Sequence, residues 1–255
     1  MNNLIYQYYL PYKGHDKGYN DPGKRMPRWA EIGIDSARKY AESIGVKYIL
    51  SDQPYMNSSI NAFESFRLIF DKSFDQYDNI LLLDVDMIVN TRENIFDLEV
   101  GDIAMVHEYG VTKRPAIPEA SFDKSWWNNW FYNPSKGKIS YASRYLDPTF
   151  IWKKSKLYPN EPFALYNGGL QLWTKQGRLK ARALFKRQGH EHFRSVTGGT
   201  ETPYLTMMLM HHQFDVTELP IEWNKLNFQW KVDGDPGKIT HFNDKSKPAM
   251  LKYLN

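Results

Sequence analysis

The residues best suited to chemistry sit in one apolar run. In Ile80-Leu81-Leu82-Leu83-Asp84-Val85-Asp86-Met87-Ile88-Val89, two carboxylates interrupt a stretch otherwise fit for a buried strand. Residues two apart on a strand point to one face, so Asp84 and Asp86 are expected to point together. Two carboxylates held close in a buried place repel and raise a pKa unless a cation sits between them. The carboxyl end of a strand in an open α/β sheet is also where such folds bind ligands. The chain has no cysteine. That removes disulfides, thiolate zinc sites, iron–sulfur clusters and cysteine nucleophiles, and leaves oxygen and imidazole as the strong metal ligands. A hard cation is the metal this composition suits. The plainer reading, that the pair ends the strand and Asp86 caps a turn, sits poorly with the apolar Met87, Ile88 and Val89 beyond it.

The elements that must position the pair alternate between strand-like and helix-like segments, the pattern of a mostly parallel sheet with helices on both faces. Residues 4–9 read as the first strand. Pro27 suits the opening of a helix carrying Trp29, Ile32, Ile34, Ala37 and Ala41 toward Gly45, and 46–50 is the second strand. Across 60–74, Phe63, Phe66, Ile69 and Phe70 recur at helical steps, and 79–89 reads as a single strand. Further strands are expected at 103–106 and 164–173, and a helix over 201–212 capped by Thr200. A basic helix over 177–188 is expected to turn Arg178, Lys180, Arg182, Lys186 and Arg187 to solvent. His190, His192, His211 and His212 read as surface residues, and 216–255 as strands and loops. Residues 111–162 show no steady period and read as an irregular insertion.

Four more segments accompany the carboxylate pair. Ser65-Phe66-Arg67 ends 17 residues before Asp84, and Tyr166-Asn167-Gly168-Gly169-Leu170 leads into a strand. Thr200-Glu201-Thr202-Pro203-Tyr204-Leu205 opens a helix, and His241 with Lys247-Pro248 spells H-x5-K-P near the end. In order and context these segments resemble the GT-A fold glycosyltransferases, most closely glycosyltransferase family 8, the group of glycogenin and bacterial lipopolysaccharide galactosyl- and glucosyltransferases.

The resemblance implies an α/β chain built as one Rossmann-like GT-A domain over residues 1–255, with a mixed, mostly parallel sheet flanked by helices. It implies Asp84, Asp86 and His241 as ligands of Mn2+ or Mg2+, which would grip the diphosphate of a nucleotide sugar. Arg67 and Lys247 would add positive charge at the donor, with Val85, Asn167, Gly168 and Gly169 against it and Tyr9 stacked on the base. Glu201, Thr202 and Asn167 fall where the family places groups that act on the donor sugar. The chain departs from the family pattern there: Gly168 replaces Ala, Glu201-Thr202 replace Asp-Gln, and Ala249 replaces Trp. The reaction implied is transfer of a hexose from UDP-glucose or UDP-galactose to a saccharide acceptor, with retention. The alternatives are a metal-dependent nucleotidyltransferase or phosphohydrolase, and a non-catalytic carbohydrate-binding protein.

Composition narrows the partners. Lys plus Arg number 33 against 29 Asp plus Glu, a net charge of +4 spread along the chain, which argues against nucleic acid. No leader or spanning segment is evident, so a cytoplasmic protein is expected, with at most peripheral membrane contact. Gly18 to Arg25 imitates a phosphate loop but has Arg25 where Ser or Thr is needed. Aromatic residues make up 15% of the chain. Trp126, Trp127 and Trp130 in the insertion are expected to offer flat faces to the acceptor sugar.

Overall fold

The computed structural model describes residues 1–10, 26–107, 132–133, 138–139, 166–191, 201–227 and 234–254. Thr200, His192, the phosphate-loop imitation and Trp126, Trp127 and Trp130 lie outside the described residues, as does most of the expected insertion. Within that insertion, Tyr132–Asn133 (β6) and Lys138–Ile139 (β7) form a short antiparallel pair.

The main sheet has six strands. Asn3–Tyr8 (β1) lies between Lys47–Ser51 (β2) and Asn79–Leu83 (β3), both parallel to it. Leu170–Thr174 (β8) is antiparallel to β3 and to Ile103–Val106 (β5), and Val216–Leu219 (β9) runs parallel to β5. The order is β2-β1-β3-β8-β5-β9, the mixed, mostly parallel sheet that was expected. Apolar residues fill both faces of the central strands, which is why these strands read as unbroken hydrophobic runs. Leu4, Tyr6, Ile80 and Leu82 join one core with Phe63, Phe66 and Ile69, while Ile5, Leu81 and Leu83 join the other with Ala37, Tyr40 and Ala41. The last three belong to Arg28–Ser43 (α1), which follows Pro27 as the sequence indicated.

Residues 79–89 do not form one strand. β3 stops at Leu83, Asp84 to Asp86 make a turn, and Met87–Val89 (β4) enters a second sheet. In that sheet β4 is antiparallel to Ile239–His241 (β11), which pairs in parallel with Lys225–Leu226 (β10). Two backbone bonds define the break: Asp84 N–H donates to Gly169 O at 2.8 Å, and Phe242 N–H donates to Asp86 O at 2.8 Å. The chain thus changes sheets between the two aspartates.

Other expectations are corrected in detail. Residues 60–74 are not one helix but 3₁₀ turns at Asn61–Phe66 and Lys72–Gln76 around the single turn Arg67–Phe70 (α2). The extended Asp71 interrupts them and caps the third piece by accepting from Ser73 N–H. The strand expected over 164–173 begins only at Leu170, because Asn167 Oδ1 accepts from Gly169 N–H at 2.9 Å and bends the backbone into a turn.

Lys175–Leu184 (α3) does not present a fully solvated basic face. Arg178 is buried and donates to the carbonyls of Trp173, Phe74 and Tyr77, while Arg182 grips Asp75 through two bonds of 2.8 and 2.6 Å. The guanidinium forks satisfy carbonyls and a carboxylate where strand and 3₁₀ turns end. His190 is also buried, with its ring centroid 4.6 Å from that of Phe63. Among the described residues no helix is long and apolar enough to cross a membrane.

α1 meets the aspartate turn through Gly33. A Cβ on Gly33 would lie 2.0 Å from the Val85 carbonyl oxygen and 3.0 Å from that of Met87, so backbone packs directly on helix. Gly33→Ala should therefore destabilise the protein by at least about 2 kcal/mol, because backbone must move to admit the methyl. At roughly 2–4 °C per kcal/mol, a thermal melt will read this as a clear drop in Tm.

Candidate metal and donor site

The site lies where the parallel strands end. β1 and β3 deliver Tyr8 and Asp84, the turn before β8 brings Asn167, Gly168 and Gly169, and the second sheet contributes His241. That edge is where an open α/β sheet leaves a crevice for ligands. One oxygen of each of Asp84 and Asp86 and a ring nitrogen of His241 all lie within 4.8 Å of one another. Period-two strand geometry was expected to aim the two carboxylates alike. The turn between the sheets does so instead.

Burial and charge set the ionisation of the pair. Burial first, and then the charge of Asp86, push Asp84 up from the usual 3.8 to about 7. Burial also acts to raise Asp86, but His241 and Lys247 outweigh it and hold its carboxyl low. His241 Nε2 lies 3.3 Å from Asp86 Oδ1, and Lys247 Nζ lies 3.2 Å from Oδ2 and 4.8 Å from the Trp29 ring centroid. Asp86 Oδ1 is nevertheless a fully buried acceptor with no hydrogen bond. A buried carboxylate oxygen without a donor, beside a second carboxylate and an imidazole, suits a hard divalent cation such as Mn2+ or Mg2+.

Hydrogen bonds around the three side chains keep them in place. Gln7, fully buried in β1, donates to the Asp84 carbonyl at 3.1 Å and accepts from the Tyr48 hydroxyl at 2.8 Å. His241 Nδ1 faces Asn224 Oδ1 at 3.1 Å, and Asn224 Nδ2 donates to Asn167 Oδ1 at 2.9 Å. Gly169 leaves room for the imidazole, since a Cβ there would sit 2.7 Å from His241 Cε1. Gln7 and Asn224 were not singled out from sequence. An amide within the apolar run Leu4-Ile5-Tyr6-Gln7 was a readable signal, whereas Asn224 offers none.

Glu201 and Thr202 open Glu201–His211 (α4). The Thr202 hydroxyl accepts from Gly168 N–H at 3.2 Å and donates to Glu201 Oε1 at 3.2 Å. A Cβ on residue 168 would lie 2.4 Å from that hydroxyl. Two departures from the family pattern are thus one local arrangement, with Gly168 making space that Thr202 fills. The Glu201 charge adds to the push on Asp84, and after burial Asp84 and Glu201 both push up the Tyr8 phenol, whose hydroxyl donates to Ala62 O at 3.1 Å.

The remaining expected residues are placed less centrally. Val85 and Tyr9 pack on an apolar cluster containing Trp29, Ile32, Ile88 and Phe242. The Arg67 guanidinium bonds Asp71 at 3.0 Å, the Ser51 hydroxyl at 2.6 Å and the Gln53 carbonyl at 3.3 Å, at the end of β2. It is anchored beside the strand ends, with no contact to either aspartate among these bonds.

Two outcomes follow from this geometry. With chelator present, Asp84→Asn should melt roughly 3 °C or more above the parent above pH 7, because the amide removes a half-buried charge held against the Asp86 carboxylate. Asp84 binds its proton more tightly folded than unfolded, so the parent regains stability as pH falls from about 7 toward 3.8, and the gap should close over that window. Gly168→Ala should lower Tm, and Gly168→Ala combined with Thr202→Ala should lower it less than the sum of the two single changes, as melts of all three variants will read.

No family model matches the sequence, and no curated protein matches it. Solved structures do. A glycosyltransferase involved in the glycosylation of the major capsid of PBCV-1 matches at 11% identity and a TM-score of 0.50, over 98% of this chain and 97% of that one. The bifunctional glycosyltransferase WbbM matches at 13% identity and a TM-score of 0.50, over 96% of this chain and 46% of that one, so this chain spans less than half of WbbM. The galactosyltransferase LgtC, in complex with donor and acceptor sugar analogues, matches at 10% identity with a TM-score of 0.49 over 96% of this chain and 88% of that one. Identities this low speak to architecture alone, and the chain shares the fold of these glycosyltransferases.

Proposed function

We propose that this chain is a metal-dependent glycosyltransferase that moves a hexose from UDP-glucose or UDP-galactose to a saccharide-like acceptor with retention. The observation that carries the reading is the convergence of Asp84, Asp86 and His241 at the strand ends, with Asp86 Oδ1 buried and without a hydrogen bond. Asp84, Asp86 and His241 are the residues that would hold Mn2+ or Mg2+. Such a cation, when bound, supplies positive charge against the diphosphate as it leaves.

The chain's own groups complete the site in this reading. Lys247, 3.2 Å from Asp86, adds a fixed positive charge on the side where diphosphate would lie. Gly168 and Gly169 let backbone approach the sugar closely, because neither carries a side chain. Glu201, steadied by the Thr202 hydroxyl, is placed to accept hydrogen bonds from sugar hydroxyls. Thr202 itself is turned onto Gly168, so it stands as a support for Glu201 and not as a nucleophile. In the retaining path the bond from the sugar carbon to the phosphate oxygen breaks, leaving its electron pair on phosphate. The acceptor hydroxyl bonds to that carbon on the same face and passes its proton to the departing phosphate oxygen. Trp126, Trp127 and Trp130 belong to this proposal as an acceptor-side surface, lying outside the described residues.

Calorimetry with UDP, in Mn2+ and in chelator, tests the reading. Binding should depend on Mn2+, and Asp86→Asn should reduce it to the level seen in chelator while a cooperative melt shows that the variant stays folded. Metal-independent UDP binding, or no release of hexose from either UDP-sugar in Mn2+ with any simple saccharide or water as acceptor, would overturn the proposal.

A further inference from the structure

The histidine of the cluster is held by a hydrogen-bond relay whose direction can be deduced atom by atom. Gly169 N–H is a backbone donor that cannot reverse, and it points at Asn167 Oδ1 at 2.9 Å. The atom it meets must accept, so the Asn167 amide presents its oxygen there. The Asn224 amide meets that same oxygen at 2.9 Å and must therefore present its nitrogen. Asn224 then has its oxygen facing His241 Nδ1 at 3.1 Å, and only a protonated Nδ1 can satisfy it. All three side chains are buried, so water does not compete for these bonds.

We infer that Asn224, aligned by Asn167, is a positioning residue that keeps the proton of neutral His241 on Nδ1 and so offers the Nε2 lone pair to the Asp84–Asp86 cluster. Nε2 is the atom that lies 3.3 Å from Asp86 Oδ1. A free imidazole that placed its proton on Nε2 would present a donor, not a lone pair, to a cation. A partner on the far nitrogen also fixes the ring's rotation, which Gly169 permits by leaving space at Cε1. The relay gives Asn167 a place behind the histidine. Its oxygen both shapes the turn before β8 and sets the orientation of Asn224.

This inference rests on the metal reading above, and its test separates the two. Nitrogen-15 correlation spectra of the metal-free full chain, at a pH well above the usual imidazole range, should show His241 protonated on Nδ1 in the parent and in Asn224→Asp, which gives up the bond to Asn167 but keeps an acceptor for that proton. Asn224→Leu should lose the Nδ1–H signature and weaken Mn2+ binding by roughly 10–100-fold in calorimetry, whereas Asn224→Asp should stay within a few-fold of the parent. An Nε2–H tautomer in the parent would overturn the relay without recourse to any variant. Unchanged Mn2+ affinity in a folded Asn224→Leu would overturn the positioning role. A parent with the Nδ1–H tautomer and no Mn2+ affinity would overturn the metal reading itself, and with it the use assigned here to the relay.

Discussion

Two carboxylates turned toward one buried point form the constraint around which the strand ends are arranged. Left in water Asp84 and Asp86 would repel only weakly, but burial makes their proximity costly and drives Asp84 to hold its proton near neutrality. Asp86 stays ionised because the Lys247 ammonium faces one of its oxygens and His241, when it carries charge, faces the other. The arrangement stores unfavourable electrostatics that a divalent cation would relieve. Sites of that kind are found where function requires the strain, since a fold selected for stability alone would replace one carboxylate.

Holding that arrangement requires backbone to come closer than side chains permit. Gly33 lets α1 rest on the Val85 carbonyl, and Gly169 lets the His241 ring lie against the turn before β8. Gly168 gives Thr202 the space in which its hydroxyl bridges a backbone N–H and the Glu201 carboxylate. The second sheet supplies the remaining constraint. Pairing of β11 with β4 places His241 opposite Met87, one residue from Asp86, and the Phe242–Asp86 backbone bond continues that ladder into the turn. A one-residue slip in this pairing would send His241 to the other face.

Charged residues away from the site follow the same rule that buried polar atoms need partners. Arg178, read from sequence as part of a solvated basic face, closes three carbonyls in the interior. Arg182 and Asp75 lock α3 to the 3₁₀ turn before β3 through two parallel bonds. Helical periodicity told which residues shared a face but not what would cover that face. Whether a guanidinium meets water or carbonyls depends on chain segments about a hundred positions away.

Strand runs at 4–9, 79–89 and 103–106 were legible in the sequence, because they are largely apolar on both faces and only a covered sheet can hide them, although the second of them stops at Leu83. The sequence by itself also determined the types of group available for chemistry: two carboxylates, an imidazole and a lysine, with no thiol. It marked Asn167 to Gly169 and Glu201–Thr202 as segments of interest through their resemblance to a family, without saying that Gly168 and Thr202 touch. Tertiary structure alone decided that the run 79–89 breaks between its aspartates, since Gly169 and Phe242 claim the backbone on either side of the break. It alone decided that Asn224 stands behind His241, because that contact joins a 3₁₀ turn to a strand 17 residues later through a pairing no local pattern encodes. Local patterns report which side chains must leave water. Directional bonds between distant segments report where each proton and lone pair must point, and those become definite only when the chain is folded.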